Sequence, residues 1–384
     1  MNEFDELGDL VDREAESSQL EPEFYTLDNI KSYKCQYNLI FGKRSNGKTY
    51  SVLKEGLKNY IDHGKQMAYI RRYREDFVGK RGQTLFSALV SDGTIIDMTK
   101  GKWSGVKYQS GQWFLTKQDK ESDREIKDST PFCYGFSLAS MEHDKSTSYP
   151  DITTIVFDEF ISRLGYLNNE FVVFMNVLST IIRQRNDVTI YMLGNTVNKY
   201  CPYFAEMGLG HIEQMEAGKI DIYTYGDSKL RVAVERTKNH NIGGRKSDVY
   251  FAFDNPSLSM ITGGAWELDL YPHLPEDYTD EDVIYKFFIL FNDQMLQGNV
   301  IEKDERAYIY FHRKTSKLRH PDDDLIFAEE YDPRPNHVRN LRRSSLKAAQ
   351  KICWFFKNSK VFYQDNDVGE VVRNYLNFCK ADQV

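Results

Sequence analysis

Residues 42 to 49 read Gly42-Lys43-Arg44-Ser45-Asn46-Gly47-Lys48-Thr49, a G-x4-GK[ST] run. The run follows a short apolar stretch, Gln36 to Phe41, that reads as a buried strand. It leads into Thr49 to Asp62, whose apolar spacing predicts a helix, with Gly64 placed to end it. A strand, a glycine-rich turn and a helix in this order make a phosphate-binding loop. The glycines let backbone N–H groups wrap the α and β phosphates, and the helix N-terminus adds its positive end. Lys48 then reaches the β and γ phosphates, and the Thr49 hydroxyl is a Mg2+ ligand. Gly42, Lys43, Arg44, Ser45, Asn46, Gly47 and Tyr50 complete the nucleotide-binding set, so ATP and Mg2+ are the expected cofactors.

Such a loop requires a sheet to stand on, and the following residues supply the strands. Gln66 to Ile70 reads as a second strand running into Arg71, Arg72, Tyr73 and Arg74, and the glycine-punctuated stretch Gly101 to Thr116 reads as hairpins. Ile152 to Phe157 and Val188 to Leu193 are β-branched strands, and Asn168 to Arg185 between them repeats apolar residues at helical spacing. Near-continuous apolar strands alternating with helices predict a mostly parallel α/β sheet covered on both faces.

The strand ITTIVF delivers Asp158 and Glu159 to the edge where ligands bind in open α/β folds. Asp158 is placed to hold the Mg2+ shell, and Glu159 to orient and activate an attacking water. A second carboxylate suited to water favours hydrolysis over transfer to another small molecule. Arg183 and Arg185 close the predicted helix. They either compensate the negative end of its dipole or reach a neighbouring subunit's nucleotide as an arginine finger. Arg71 and Arg72 compete for the same task from the second strand, and Asn195 sits where a polar side chain can sense the γ-phosphate or serve as an ordinary turn residue.

At 384 residues and 44.9 kDa the chain is long enough for two domains. We divide it into an acidic arm at 1–24, a P-loop domain at 25–225, a polar and glycine-containing linker at 226–247, and a second domain at 248–384. In the second domain Ile284 to Phe291 and Ala307 to His312 read as strands, Val338 to Phe356 as a basic helix, and a final amphipathic helix ends near Phe378. The arm holds nine acids against a single base, Arg13, so it carries −8 of a chain whose net charge is −7, and the rest sums to +1. Arg334 to Lys360 is the opposite, with eight Lys or Arg and no acid, the footprint of a polyanion site or of contact with an acidic protein surface. Five scattered cysteines without a CxxC pair read as reduced thiols. No apolar run approaches the ~18 residues of a membrane span, and the acidic N-terminus does not read as a signal peptide.

The stretches GKRSNGKTY, AYIRRYRED at 68 to 76, STSYPDITTIVFDEFI at 146 to 161, IIRQRNDV at 181 to 188 and LGNTVNKYCPYF at 193 to 204 resemble the DNA-packaging ATPases (encapsidation proteins) of phi29-like tailed phages, relatives of large terminase subunits. The resemblance is strong over roughly 36 to 205 and faint afterwards. It implies a P-loop NTPase of the additional-strand, catalytic-glutamate type, with a C-terminal α+β domain resembling a vestigial RNase H-like nuclease fold. By position, Lys48 and Thr49 match the phosphate-binding residues, Asp158 and Glu159 the metal-binding and catalytic acids, Arg183 a trans-acting finger, and Arg71 a second arginine at the subunit interface. The family implies a homo-oligomeric ring, usually of five subunits, on the portal (connector) of an empty procapsid in the host cytoplasm. The ring drives double-stranded DNA inward with ATP, in some relatives with a packaging RNA. Arg74, Lys80 and Arg81, or Lys100, Lys102 and Lys107, could supply its phosphate contacts.

Three rivals stand beside this reading: an AAA-type remodelling ATPase, a nucleotide-switched assembly factor that holds portal and DNA without translocating, and a nuclease-competent terminase. A two-metal nuclease needs a carboxylate on its first central strand. IYKFFILFN offers Lys286 there and no acid until Asp293, with Asp365 and Asp367 much later.

Overall fold

The protein is described here as a computed structural model covering residues 24–44, 46–119, 124–143, 148–162, 165–195, 201–226, 228–238, 271–274 and 277–382. The acidic arm to residue 23, Ser45, and residues 239–270 of the predicted linker and second domain lie outside the described residues. Two compact units are present, one built on the phosphate loop and one on the C-terminal sheet.

In the first unit ten strands form one sheet. They are β1 (Tyr37–Gly42), β2 (Gln66–Arg71), β3 (Gly105–Gln109), β4 (Gln112–Gln118), β5 (Glu125–Lys127), β6 (Cys133–Ser137), β7 (Ile152–Asp158), β8 (Thr189–Asn195), β9 (Lys219–Tyr225) and β10 (Leu230–Arg236). The spatial order is β3-β4-β6-β2-β7-β8-β1-β10-β9, with β5 paired to β4. From β6 through to β10 every pairing is parallel, and antiparallel strands occupy the edges. β8 stands between the phosphate-loop strand β1 and the acid-bearing strand β7.

Both faces of the parallel core are covered, which explains why its strands are apolar throughout. On one face helix α1 (Lys48–His63) buries Val52, Leu53 and Leu57 in a cluster with Tyr69, Val156, Tyr191 and Leu193. Successive residues of a strand point to opposite faces. Phe157 therefore turns the other way and stacks on Phe174 of helix α2 (Glu170–Ile182) at 4.9 Å, with Tyr203 against both.

The predicted linker at 226–247 is corrected, because it contains β10, a buried strand beside β1. Arg231 and Glu235 disguised it as a polar segment. Glu235 is buried because its carboxylate accepts a 2.6 Å hydrogen bond from the Tyr25 hydroxyl.

The second unit is a six-stranded sheet of β11 (Val283–Phe291), β12 (Gln294–Lys303), β13 (Arg306–Arg313), β14 (Ile326–Ala328), β15 (His337–Val338) and β16 (Val361–Tyr363), ordered β15-β14-β11-β12-β13-β16. β11 to β13 form an antiparallel meander, β14 and β15 extend it in parallel from β11, and β16 pairs parallel to β13. Helices α3 (Lys347–Lys357) and α4 (Asn366–Ala381) bury Ile352, Val368, Val371, Val372 and Tyr375 with Phe287, Ile289 and Phe311. β12 was not read from sequence, since Gln297 and Asn299 break its apolar pattern; Gly298 is required there because a Cβ would meet the Phe287 ring at 2.5 Å. The predicted basic helix from Val338 is also corrected. Val338 belongs to β15, and the Asn340 side chain accepts from the Arg342 and Arg343 N–H groups, holding a turn ahead of α3. Among the described residues no helix is long and apolar enough to cross a membrane.

Candidate nucleotide site

The loop between β1 and α1 is built from backbone conformations that favour glycine. Gly47 has φ 93° and caps α1 without a side-chain hydrogen bond, so the N–H groups of the first turn face outward as anion donors. Gly42 has φ 156°, and a Cβ there would stand 2.1 Å from Thr237 Oγ1. Thr237, just beyond β10, returns its N–H to the Phe41 carbonyl at 2.9 Å, and its hydroxyl accepts from Asn46 Nδ2 at 2.8 Å. On the other side the Tyr25 N–H bonds the Asn46 carbonyl at 3.0 Å. The loop is thus held by two segments far away in sequence.

Lys48 is the buried cation of the loop. Its Nζ donates to the Lys43 carbonyl at 2.5 Å, to Asn46 Oδ1 at 3.1 Å and to Asn195 Oδ1 at 3.4 Å, all neutral acceptors. Burial pulls its pKa down to about 8, with Asp158 partly opposing. A buried ammonium surrounded by neutral oxygens is electrostatically complementary to a phosphate. Thr49 Oγ1 lies 3.4 Å from both Asp158 carboxylate oxygens, which brings a hydroxyl and a carboxylate together as hard oxygen donors of the kind Mg2+ takes. The donor set and the glycine cradle therefore fit a Mg2+-nucleotide.

At the same sheet edge the acid pair is tightly held. The Tyr69 hydroxyl donates to Asp158 Oδ2 at 2.9 Å, and the Glu159 N–H donates to Asp158 Oδ1 at 3.1 Å. Burial raises the Asp158 carboxyl above its ordinary range, with the Arg71 charge and the Tyr69 hydroxyl opposing. Glu159 takes a left-handed backbone (φ 59°) that swings its half-exposed side chain away from the strand. There Arg71 Nη2 meets Glu159 Oε2 at 2.6 Å, while Arg71 Nη1 lies 3.7 Å from Asp158 Oδ2. Arg71 thus faces the acids of its own chain.

The remaining arginines separate by environment. Arg72 is buried in a bidentate pair with Glu170. Arg185 Nη2 donates to the carbonyls of Tyr149, Ile152 and Ile181, which makes it a strut under the first residue of β7. Arg183 is exposed, follows the last residue of α2 and has φ 53°. α2 starts near the C-terminal end of β7 and runs back to the start of β8, so Arg183 sits at the sheet edge opposite Asp158. Seven residues of strand, roughly 20 Å, separate the two edges. The structure brings Lys48, Thr49, Asp158, Glu159, Asn195 and Arg71 together and leaves Arg183 apart.

Sequence reading missed Tyr25, Tyr69, Glu170, Tyr203 and Thr237. The one available signal was local to Tyr69, which alternates with Arg71 on β2 and must share its face. Two groups weighed for a nuclease have other engagements. Asp365 caps α4 by accepting from the Val368 N–H at 2.8 Å and pairs with Arg313, and Asp293 is a turn residue with φ 58°.

A family model described as podovirus DNA encapsidation protein (Gp16) matches residues 21–107 and 125–217, which take in the loop, both acids, Asn195 and Arg183. Over these residues, just under half of the chain, it is similar to the podovirus DNA encapsidation proteins. The DNA packaging protein of Bacillus phage B103 is 29% identical over 182 residues, 46% of this chain and 50% of that protein. The chain spans about half the length of the curated relatives it matches. The solved phi-28 gp11 DNA packaging motor aligns with a TM-score of 0.52 at 18% identity, covering 95% of this chain and 100% of that one. The bacteriophage phi-29 viral genome packaging motor assembly aligns at 0.51 and 19% identity, over 91% of this chain and 96% of that one. At these identities the likeness is one of fold. The chain is a mixed α/β protein with a parallel sheet, and its likeness in fold to those motors extends beyond the segment matched by the family model.

Proposed function

We propose that the chain is an ATP-hydrolysing ring motor that translocates double-stranded viral DNA into a preformed capsid through the portal. The observation that carries this reading is the split site: phosphate loop and acids gather at one edge of the sheet, while Arg183 stands at the other, out of reach of its own nucleotide. A complete site then requires a second copy of the chain.

Lys48 and the N–H groups opening α1 bind the phosphates, and Asn195, in contact with Lys48, sits where the γ-phosphate would be sensed. Thr49 and Asp158 would hold Mg2+, which supplies charge neutralisation on the phosphate oxygens. Glu159 orients the attacking water and accepts its proton. Until it does so Arg71 neutralises the carboxylate. Arg183 of a neighbouring subunit supplies positive charge to the transferring phosphoryl group.

DNA enters the account through local basic spots. Arg74, Lys80 and Arg81, or Lys100, Lys102 and Lys107, make sequence-independent phosphate contacts weak enough to be released each cycle. We assign the ATPase domain to run through β10, and the second unit to an RNase H-like docking domain without nuclease activity. Its meander extended by two parallel strands and the structural engagements of Asp365 and Asp293 support that assignment. The basic residues of 334–360 meet the portal or a packaging RNA, on a ring of five subunits docked transiently on the procapsid in the host cytoplasm.

Mixing tests the shared site. Rings assembled from Arg183→Ala and Glu159→Gln subunits, each inactive alone, should regain ATP turnover, because the intact loop and acids of the first meet the intact Arg183 of the second. No recovery on mixing would show that each chain completes its own site.

A further inference from the structure

The loop that presents Glu159 is held from beneath by charge. Glu159, in the left-handed region, and then Phe160 follow β7, and the Phe160 N–H is fixed to the Leu193 carbonyl at 3.1 Å. Their own carbonyls need donors, and these come from Arg72, with Nη1 at 3.2 Å from the Glu159 carbonyl and Nη2 at 3.0 Å from the Phe160 carbonyl. Arg72 is itself oriented by Glu170, through Nε to Oε2 at 2.7 Å and Nη2 to Oε1 at 2.8 Å. The Tyr203 hydroxyl adds a further bond to Glu170 Oε1 at 2.9 Å. Arg72, Glu170 and Tyr203 are 7%, 2% and 0% exposed.

A buried ion pair contributes little net stability compared with apolar residues of the same volume, so it is better explained by the geometry it specifies. Here the planar guanidinium serves two tasks from adjacent edges that share Nη2, one toward a carboxylate and one toward two backbone carbonyls. A lysine could not hold both at fixed angles. Glu170 is also the first residue of α2, so the joint ties the Glu159 loop to the helix whose far end precedes Arg183.

We infer that Arg72 and Glu170, with Tyr203 behind them, are positioning residues that set the Glu159 carboxylate for the attacking water through the carbonyls of its own loop. The inference rests on the ATPase reading for its kinetic consequence and on the structure alone for its geometric one, and the two are measured separately. Glu170→Gln keeps the shape and removes the charge; Arg72→Lys keeps the charge and removes the fork.

Hydrogen exchange on the full chain reads the geometry. In both variants the Phe160 amide should exchange at least about tenfold faster, while the amides of β1 and β8 keep their protection. Steady-state kinetics reads the chemistry. Glu170→Gln should lower kcat about a hundredfold, the scale of a misplaced catalytic group, with ATP affinity within about threefold of the parent. Tyr203→Phe should shift both readouts in the same direction by less. Unchanged Phe160 exchange in folded Glu170→Gln overturns the inference, as does protection lost evenly across the sheet together with ATP affinity. A parent chain that shows no ATP turnover, with the selective exchange effect intact, overturns the ATPase reading and leaves the positioning joint standing.

Discussion

Lys48 shows how much of the site is decided by single residues. Its ammonium is buried against neutral oxygens, so the nucleotide-free protein holds it as a cation at a cost, and its pKa is lowered to about 8. Since the unfolded value is near ~10.4, the unfolded chain binds more protons between pH 8 and that value, and this group's contribution to stability rises with pH across the window. On the proposed reading, phosphate binding restores the charged form. Nucleotide binding at pH 8.5 should therefore take up a proton, seen as a dependence of calorimetric enthalpy on the buffer's ionisation heat that is absent at pH 6.5 and in Lys48→Met. Binding that is proton-neutral at both values would mean that Lys48 is not the group meeting the phosphates. Gly42 carries a second residue-scale prediction. With φ 156° and Thr237 Oγ1 2.1 Å from any Cβ, Gly42→Ala should lower unfolding stability by about 1–3 kcal/mol in urea. A variant as stable as the parent would show that the Thr237 contact is loose. Lys48, Thr49, Asp158 and Asn195 were legible because motif and strand register place them. Thr237 and Glu170 were not, because nothing in local spacing links Thr237 to Asn46, 191 residues away, or Glu170 to Arg72, 98 residues away.

Elements were legible where they are apolar and obscured where a charge is buried inside them. β1, β2, β7 and β8 read directly as strands because two covered faces demand apolar side chains at successive positions. β10 failed that test through Glu235, whose burial depends on Tyr25 near the start of the described chain. In the second unit the shortened basic helix has a different cause, a neutral side chain, Asn340, satisfying backbone N–H groups that a helix would otherwise employ. Asp365 is an element-scale determinant of this kind. As the N-cap of α4 it should contribute about 1 kcal/mol, so Asp365→Ala should lower the second unit's denaturation midpoint while ATP affinity stays unchanged. Metal-dependent nicking of plasmid DNA that disappears in this variant would instead make Asp365 a nuclease ligand.

At the scale of the whole molecule, the decisive fact is the sheet that separates Arg183 from the acids. A strand's length cannot be crossed by one arginine side chain, so on the proposed reading Arg183 serves a neighbouring copy's site rather than its own. Sequence could name Arg183 without saying which edge it occupies, because that depends on the direction of α2 between β7 and β8. The direct measurement is ATP turnover per subunit against protein concentration, with and without double-stranded DNA, for the intact chain and for Glu159→Gln. The rate should climb with concentration, rise further with duplex and vanish in the variant. A rate flat in concentration and indifferent to DNA would contradict it, and would return Arg183 to the role of an ordinary helix end.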